Sequence, residues 1–140
     1  MDNTIDAITK ARELIKQHEG YSMFPKPDSN GTTQIGYGTN LSRRGIDPGE
    51  ADWLLTRDVR RLTEWLSSYP FFDLLSSTRK AVLIDMAYNL GETGFAGFTE
   101  MIEALDHNEY RAAAIAMLDS EWAAQVGDRA ATDAAMMHNG

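Results

Sequence analysis

The first helix of the chain is predicted from apolar residues that recur every three or four positions. These residues are Ile5, Ile8, Ala11, Leu14 and Ile15. Such spacing places them on one face of an α-helix, which has about 3.6 residues per turn. The pattern predicts an amphipathic helix over about residues 4–18, and Gly20 is a residue type that commonly follows a helix end. Glu19 is therefore expected at the helix terminus.

The next stretch, residues 21–40, has a different pattern. Prolines, glycines and threonines interrupt it, and Asn30-Gly31 is a dipeptide that favours a tight turn between two strands. We predict a small hairpin sheet with Asn30-Gly31 as its turn. Because side chains alternate between the two faces of a strand, Thr32, Gln34 and Gly36 are expected on one face.

A long helix is predicted from Asp47 to about Ser67. Asp47 is a suitable N-cap, and Pro48 fits the first turn because its φ is helical and its nitrogen needs no hydrogen-bond partner there. We expect five residues on the apolar side of this helix: Trp53, Leu54, Val59, Leu62 and Leu66. Tyr69-Pro70 then ends the helical pattern.

The next helix is expected to be capped by Ser77 or Thr78. Its segment 81–90 is apolar on nearly all sides, which is typical of a core helix. The expected core residues are Leu83, Ile84 and Met86.

The rest of the chain is predicted to contain a glycine-rich turn at 91–99 and helices over 100–105 and 109–121. The alanine-rich tail is expected to be a weakly amphipathic helix or a frayed end. The fold class predicted from these patterns is α+β, mostly helical.

Composition narrows the class of protein. A chain of 140 residues, 43% hydrophobic and 24% charged, is typical of one soluble globular domain. The absence of cysteine excludes disulfides and thiolate metal sites. The three histidines are too far apart in sequence for a local zinc motif. We therefore expect no metal.

The net charge excludes one class of partner. A formal charge of −8 argues against nucleic acid, because like charges repel, and it is also unfavourable for contact with an anionic cell wall. No apolar run is long enough to span a bilayer, and the N-terminal residues lack the apolar core of a signal peptide. We expect synthesis in the cytoplasm, no stable membrane insertion, and another route to any target outside the cytoplasm.

The candidate chemistry centres on two carboxyls, Glu19 and Asp28. One is expected at a helix end and the other follows nine residues later in the polar hairpin. Glycoside hydrolysis needs one carboxylic acid to protonate the leaving oxygen and one carboxylate on the other side of the sugar. The spacing alone is weak evidence, because Glu and Asp are common at solvated surfaces.

Three blocks of the sequence resemble, in order, motifs of the phage endolysin muramidases, the family that includes the T-even phage lysozyme. The first block is Glu19-Gly20, then Asp28, then Gln34-Ile35-Gly36-Tyr37-Gly38. The second block, residues 89–99, is similar to the family's G-E-T-G-x-A-G-F-T turn. The third block is Ser120-Glu121-Trp122 with Gln125 and Arg129. Three blocks in the right order are specific, whereas one alone is a weak signal.

The resemblance implies a single domain over residues 1–140. In this family a small hairpin lobe and a helical lobe are joined by a long helix, with a saccharide cleft between the lobes. Transferred to this chain, the hairpin lobe is about 19–46 and the linking helix about 47–67. The helical lobe is then about 68–140 together with the N-terminal helix. The periodicity independently gives the same order of elements.

The resemblance also implies roles for the two carboxyls. Glu19 matches the general acid, and Asp28 matches the carboxylate that positions a water; the alternative for Asp28 is an ordinary turn-forming residue. Gln34 stands where the family usually has a threonine that helps to hold the water. An amide can also bind water, but it is longer. Thr32 could supply a hydroxyl instead, although an ordinary strand threonine is the simpler interpretation.

Further site residues are expected from the resemblance. Arg129 matches an arginine that pairs with Glu19; the alternative is a surface charge. The saccharide cleft could be lined by Tyr88, Asn89, Phe98 and Thr99. A core position is nearly as consistent for Tyr88. The tryptophans are expected to be packing anchors rather than sugar platforms: Trp53, Trp65 and Trp122.

The function implied by the resemblance is an endolysin muramidase. It would hydrolyse β-1,4 bonds between N-acetylmuramic acid and N-acetylglucosamine in peptidoglycan, with inversion and without a metal or organic cofactor. We expect a monomer that reaches the periplasm through a membrane lesion made by another protein. Two alternatives stay open: a saccharide-binding or tail-associated module with weak or lost turnover, and a chitinase-like or transglycosylase activity in the same cleft.

Overall fold

The structure is a computed structural model that describes residues 3–140. The chain divides into two compact units, one ending at Asp52 and the other beginning at Trp53. Each unit is described below by itself. In the part of the chain described, no helix combines the length and the apolar character needed to cross a membrane.

The first unit contains two helices, the first turn of a third, and a three-stranded antiparallel sheet in the order β1-β2-β3. Its elements are α1 (Thr4–Glu19), β1 (Ser22–Pro27), β2 (Thr33–Gly36), β3 (Thr39–Asn40) and α2 (Leu41–Arg44). The prediction that α1 ends at Glu19 is confirmed. Gly20 follows with a φ of 71°, a conformation that favours glycine, and its N–H donates to the carbonyl of Lys16 at 3.0 Å.

The sheet confirms the predicted hairpin but differs in its turn. Strands β1 and β2 end at the pair Pro27 and Thr33, so the connection is the five-residue loop 28–32 and not a two-residue turn at Asn30-Gly31. The longer loop forms because the Asp28 carboxylate accepts hydrogen bonds from backbone N–H groups within the loop. The third strand, β3, was not predicted.

Helix α3 (Pro48–Leu66) confirms the predicted start and length. The Glu50 N–H donates to Asp47 Oδ1 at 2.8 Å, and the Asp47 N–H donates to Glu50 Oε1 at 3.1 Å. This reciprocal capping box satisfies two N–H groups that a helix start otherwise leaves unpaired.

The predicted apolar side of α3 is only partly correct. Leu66 is buried and Leu62 and Val59 are half-buried, whereas Trp53 and Leu54 are exposed. The expectation that Trp53 is a packing anchor is therefore wrong. The guanidinium of Arg57 lies 5.0 Å from the centre of its ring, so a neighbouring side chain, and not the core, covers that face.

The second unit is helical and contains the hydrophobic core. After the end of α3 it consists of a 3₁₀ turn (Phe72–Leu74), α4 (Ser77–Ala96), α5 (Thr99–Asp106), α6 (Tyr110–Leu118), α7 (Glu121–Val126) and α8 (Asp128–Asn139). Leu83 and Met86 of α4 are buried as predicted, and Ile84 is half-buried. The rings of Trp65 and Tyr69 pack against the buried Phe95. The predicted class, α+β and mostly helical, is confirmed.

Three predicted boundaries in this unit are wrong. The cap of α4 is Ser76, whose hydroxyl accepts from the N–H of Arg79, and not Ser77 or Thr78. The expected turn at 91–99 is helical through Ala96, with only Gly91 leaving helical geometry at a φ of 76°. The helix expected over 109–121 ends at Leu118, because Ser120 caps a new helix through the N–H of Ala123.

The alanine-rich tail forms helix α8, which packs against α6 and α4. Ala130, Ala134 and Met137 are buried. Arg79 of α4 donates to the carbonyls of Met137 at 2.7 Å and His138 at 3.0 Å. A cation on the last carbonyls of a helix satisfies acceptors that have no partner within the helix. The helical alternative for the tail is therefore confirmed, and the frayed end is not.

Candidate functional site

The first candidate, Glu19, is the last residue of α1. Its carboxylate lies directly over Gly38, in the turn between β2 and β3. A Cβ at position 38 would lie 2.7 Å from Glu19 Oε2, so any other residue there would displace the Glu19 carboxylate from this position. Gly38 also has a φ of 78°, which favours glycine. The glycine of the Gln34–Gly38 motif therefore provides the space that the Glu19 carboxylate occupies.

The second candidate, Asp28, begins the loop between β1 and β2. Its Oδ1 accepts from the backbone N–H groups of Asn30 at 2.8 Å and Thr32 at 2.9 Å. Its Oδ2 accepts from the hydroxyl of Thr32 and from the amide Nε2 of Gln34 at 3.2 Å. A carboxylate has about four acceptor positions, so all of them are used.

These donors lower the pKa of Asp28 below its ordinary value of 3.8. The largest contribution is the Thr32 hydroxyl, followed by the Thr32 backbone N–H; desolvation opposes them, and the Asn30 N–H and the Gln34 amide add smaller effects. Each donor favours the charged form because it binds an anion more strongly than a neutral acid. Asp28 is therefore held as an ionised, fixed carboxylate at neutral pH.

Gln34 lies on β2, where its amide reaches the same oxygen that Thr32 binds. Thr32 belongs to the loop that precedes β2, so the two side chains meet at Asp28 although only Gln34 stands on the strand. The Gln34 carbonyl Oε1 has no hydrogen-bond donor among residues 3–140. The side chain therefore binds Asp28 through its donor end and leaves its acceptor end available.

The second unit contains a pocket of about 510 Å³ lined by Phe98 and Thr99. The ring of Trp122 lies edge-on to Phe98, with ring centres 6.0 Å apart, and lines the same pocket with Gln125. Asn89 accepts a hydrogen bond from the Trp122 indole nitrogen at 2.8 Å, which fixes the indole plane. Trp122 is buried, so its expected role as a packing anchor is confirmed, but one face also forms a pocket wall.

Tyr88 and Arg129 line a different pocket, of about 380 Å³. Tyr88 is 49% exposed, so the core alternative for it is wrong. Arg129 forms a two-point ion pair with Asp85, at 3.0 Å through Nε and 2.7 Å through Nη2. The pKa of Asp85 is lowered, first by this hydrogen bond to Arg129. The expected pairing of Arg129 with Glu19 joins residues of different units and stays a prediction.

Asp133 of α8 adjoins this ion pair and was not predicted to be important. Among residues 3–140 it is the one charged residue that is buried, with 6% of its surface exposed. Its Oδ2 has no hydrogen-bond partner among these residues. Burial raises its pKa to about 7, with further contributions from the hydrogen bond and the charge of Asp85. A proton on Asp133 lets this carboxyl donate to Asp85, which removes the repulsion between two adjacent anions.

The predicted site residues thus lie in three places. Asp28 and Gln34 are in direct contact in the first unit, where Glu19 also lies. Phe98 and Thr99 share one pocket of the second unit, and Asn89 is hydrogen-bonded to Trp122, which lines the same pocket. Tyr88 and Arg129 share another. Four residues were missed as parts of these sites. Thr32 binds Asp28, and Asn40 donates through Nδ2 to the Thr32 hydroxyl at 3.0 Å. The other two are Asp85 and Asp133. Among residues 3–140, no three His, Cys, Asp or Glu side chains are placed to hold a metal ion.

A comparison with known protein families places this geometry in context. The family described as phage lysozyme matches residues 16–133, which includes Glu19, Asp28, Gln34 and both pockets. At the level of the family, this identifies a peptidoglycan-hydrolysing glycoside hydrolase of the muramidase type. The match spans most of the 140 residues, and the chain belongs to the phage lysozyme family.

Proposed function

We propose that this protein is an endolysin muramidase that cleaves the β-1,4 bond between N-acetylmuramic acid and N-acetylglucosamine with inversion. The observation that carries the proposal is the contrast between two carboxyls of the first unit. Asp28 is held ionised by four donors. Within its own unit, the Glu19 carboxyl accepts no hydrogen bond from the described residues, and it lies against Gly38. One carboxyl suits a fixed anion, and the other is available to transfer a proton.

In the proposed reaction, Glu19 is the general acid. Its proton passes to the glycosidic oxygen while the bond from that oxygen to the anomeric carbon breaks. A water attacks the anomeric carbon from the opposite face and gives its proton to Asp28. Inversion needs room for that water, so we expect the two carboxyls about 6.5–9.5 Å apart in the complex with substrate.

Gln34 is proposed to orient the attacking water. Its hydrogen bond to Asp28 Oδ2 is the longest of the four at 3.2 Å, so it is the one that a water can displace when the Gln34 side chain turns. There the water can donate to Asp28 and also to the free Gln34 carbonyl. A water held by two acceptors has its lone pair directed away from both. Gln34 would then take over the task of the family's usual threonine with a different functional group.

The substrate-binding residues are proposed to be Tyr88, Asn89, Phe98 and Thr99, with Arg129 in a supporting role. The wall of the 510 Å³ pocket combines an aromatic edge with hydroxyl and amide groups, which suits the apolar faces and hydroxyls of a sugar ring. The Asp85–Arg129 ion pair keeps the guanidinium at the rim of the pocket that Tyr88 lines. This pairing limits how Arg129 can move toward a substrate.

The biological setting that we propose is lysis of a bacterial host by a phage. The enzyme would be a monomer that is made in the host cytoplasm and passes to the periplasm through a lesion made by another protein. Its partners would be glycan strands, with no role for nucleic acid or for stable insertion in a membrane.

The test of this function is the Glu19→Gln variant in a turbidity assay on chloroform-treated Gram-negative cells. Glutamine has nearly the same shape but no transferable proton, so lysis is expected to fall by about 10²–10⁴-fold. Thermal melts of both proteins control for folding. Lysis by a well-folded Glu19→Gln protein at the wild-type rate contradicts the proposal. Absence of lysis by the wild type, with retained binding to peptidoglycan, favours the saccharide-binding module instead.

A further inference from the structure

We propose that Thr32 and Asn40 are positioning residues for Asp28. In this arrangement the Asn40 amide directs the Thr32 hydroxyl proton onto Asp28 Oδ2 and so fixes the carboxylate that orients the water. The inference rests on the proposed function of Asp28. It gives Thr32 and Asn40 a role in holding Asp28 that the sequence did not predict.

Thr32 binds both oxygens of the Asp28 carboxylate. Its backbone N–H donates to Oδ1 at 2.9 Å and its hydroxyl donates to Oδ2. Two donors from one residue restrict rotation of the carboxylate about its last bond. The branched Cβ of threonine also limits its side chain to few rotamers, so the hydroxyl is placed with little loss of entropy.

The proton of the Thr32 hydroxyl has only one acceptor to which it can be directed. Thr32 Oγ1 accepts a hydrogen bond from Asn40 Nδ2 at 3.0 Å. An amide NH₂ can only donate, so the single hydroxyl proton has to serve the other partner, which is Asp28 Oδ2. A hydroxyl that also accepts a hydrogen bond is a stronger donor, because each bond polarises the next.

The side chain and the backbone of Asn40 are themselves held by hydrogen bonds. Its Oδ1 accepts from the N–H of Arg43 at 3.0 Å, which makes it the cap of α2. Its backbone pairs with Gln34 in the sheet. The amide therefore cannot rotate to present its oxygen to Thr32 without losing the cap. Donors thus follow one direction, from Arg43 through Asn40 and Thr32 to Asp28.

The Thr32 hydroxyl is not needed to close the loop. The Asp28 N–H donates to the carbonyl of Thr32 at 2.8 Å, and the Gly31 N–H donates to the carbonyl of Asp28 at 3.1 Å. Together with the bonds from the Asn30 and Thr32 N–H groups to Asp28 Oδ1, these backbone bonds hold the loop without the hydroxyl. The hydroxyl and the Asn40 amide act on the carboxylate, so their removal should affect Asp28 more than the fold.

The experiment compares Thr32→Val with Thr32→Ser and uses Thr33→Val as a matched control. Valine keeps the shape and the backbone N–H but removes the hydroxyl, whereas serine keeps the hydroxyl. Thr33 is the adjacent threonine, and its hydroxyl makes no hydrogen bond with any residue from 3 to 140. Asn40→Ser keeps a capping oxygen for α2 but is too short to reach Thr32.

Two readouts are needed: the titration of the Asp28 carboxyl by carbon NMR, and kcat and KM on soluble peptidoglycan fragments. In Thr32→Val we expect the pKa of Asp28 to rise, the acidic limb of the pH profile to move to higher pH, and kcat to fall about tenfold with little change in KM. Asn40→Ser should shift all three in the same direction by less. Thr32→Ser and Thr33→Val should both show the wild-type titration of Asp28.

The outcomes separate this inference from the proposed function. A folded Thr32→Val protein with the wild-type Asp28 titration and kcat overturns the positioning role, even if the enzyme cleaves peptidoglycan. An Asp28 titration that moves as expected in a protein without hydrolytic activity supports the positioning geometry and overturns the proposed function. If Thr32→Val fails to fold, an unchanged Asp28 titration in Asn40→Ser overturns the inference.

Discussion

Asp28 and Asp133 are chemically identical side chains that the two units of this chain place in opposite environments. Asp28 lies in a polar loop where four donors surround its carboxylate, and its pKa is lowered. Asp133 is buried on α8 beside a second carboxyl, and its pKa is raised to about 7. The first environment stabilises the charge, whereas the second opposes it.

The comparison shows that a perturbed carboxyl is not by itself a catalytic one. Perturbed pKa values are common at functional sites, but ion-pair networks in the core produce them too. The donors around Asp28 come from the loop 28–32 and from Gln34 of β2, in the unit that also contains Glu19. The partners of Asp133 are Asp85 and the Arg129 guanidinium, which join α8 to α4. We therefore assign chemistry to Asp28 and packing to Asp133.

The largest expected effect comes from the same substitution at both carboxyls. Asp28→Asn removes the base and the anion, so peptidoglycan hydrolysis should fall by about 10²–10⁴-fold. Asp133→Asn replaces a side chain to which we assign no role in the reaction, and it should leave the rate within about threefold of the wild type. Initial rates on one peptidoglycan preparation, with melts of each protein, measure both. Equal losses in the two variants would break the comparison.

The sequence revealed the first carboxyl better than the second for a physical reason. Asp28 has a signal in its spacing from Glu19 and in the Gln34–Gly38 motif that follows it. Asp133 has none, because it stands in an alanine-rich tail whose packing depends on contacts with α4 and α6. Burial of a tail residue is decided by distant parts of the chain, which a local pattern does not record.

The same limit explains the other differences. The N-cap at Asp47 and the end of α1 depend on neighbours in sequence and were predicted correctly. The contacts of Asn40 with Thr32, and of Arg129 with Asp85, join residues 8 and 44 positions apart. The break at Gly91 is one residue wide because the flanking segments pack as helices. Their packing outweighs the turn preference that glycines give to the segment 91–99.

The second prediction concerns the effect of Asp133 on how the stability of the fold depends on pH. In the unfolded chain this carboxyl titrates near its ordinary value of 3.8, and in the folded protein near 7. Between these values the unfolded chain releases a proton that the folded protein keeps. The free energy of unfolding should therefore fall as pH rises from about 4 to about 7 and then level off.

Asp133→Asn should remove this fall and make the protein more stable than the wild type at pH 8. One pKa unit corresponds to about 1.4 kcal/mol, so the gain should be at most about 4 kcal/mol. Urea unfolding at pH 5 and pH 8 measures it, with the exposed Asp58→Asn as the control. A wild type that is as stable relative to Asp133→Asn at pH 8 as at pH 5 would contradict the raised pKa.

The smallest expected effect is at the edge of the Asp28 environment. Gln34→Thr removes the weakest of the four donors and restores the hydroxyl that the family usually carries. Threonine is smaller and suits a strand, so activity should be equal or a few-fold higher, since one hydrogen bond contributes about 0.5–1.5 kcal/mol. Initial rates of the two purified proteins decide this. A large loss would show that the Gln34 amide is itself required to orient the water.

The most direct test of the central claim is the anomer that the wild-type enzyme first releases from a soluble peptidoglycan fragment. Proton NMR during the first minutes of the reaction measures it, before the sugar equilibrates. If Glu19 protonates the leaving oxygen and Asp28 holds the attacking water on the other face, the α-anomer of N-acetylmuramic acid appears first from the β-linked substrate. Initial release of the β-anomer, or of an anhydro sugar, would contradict this account.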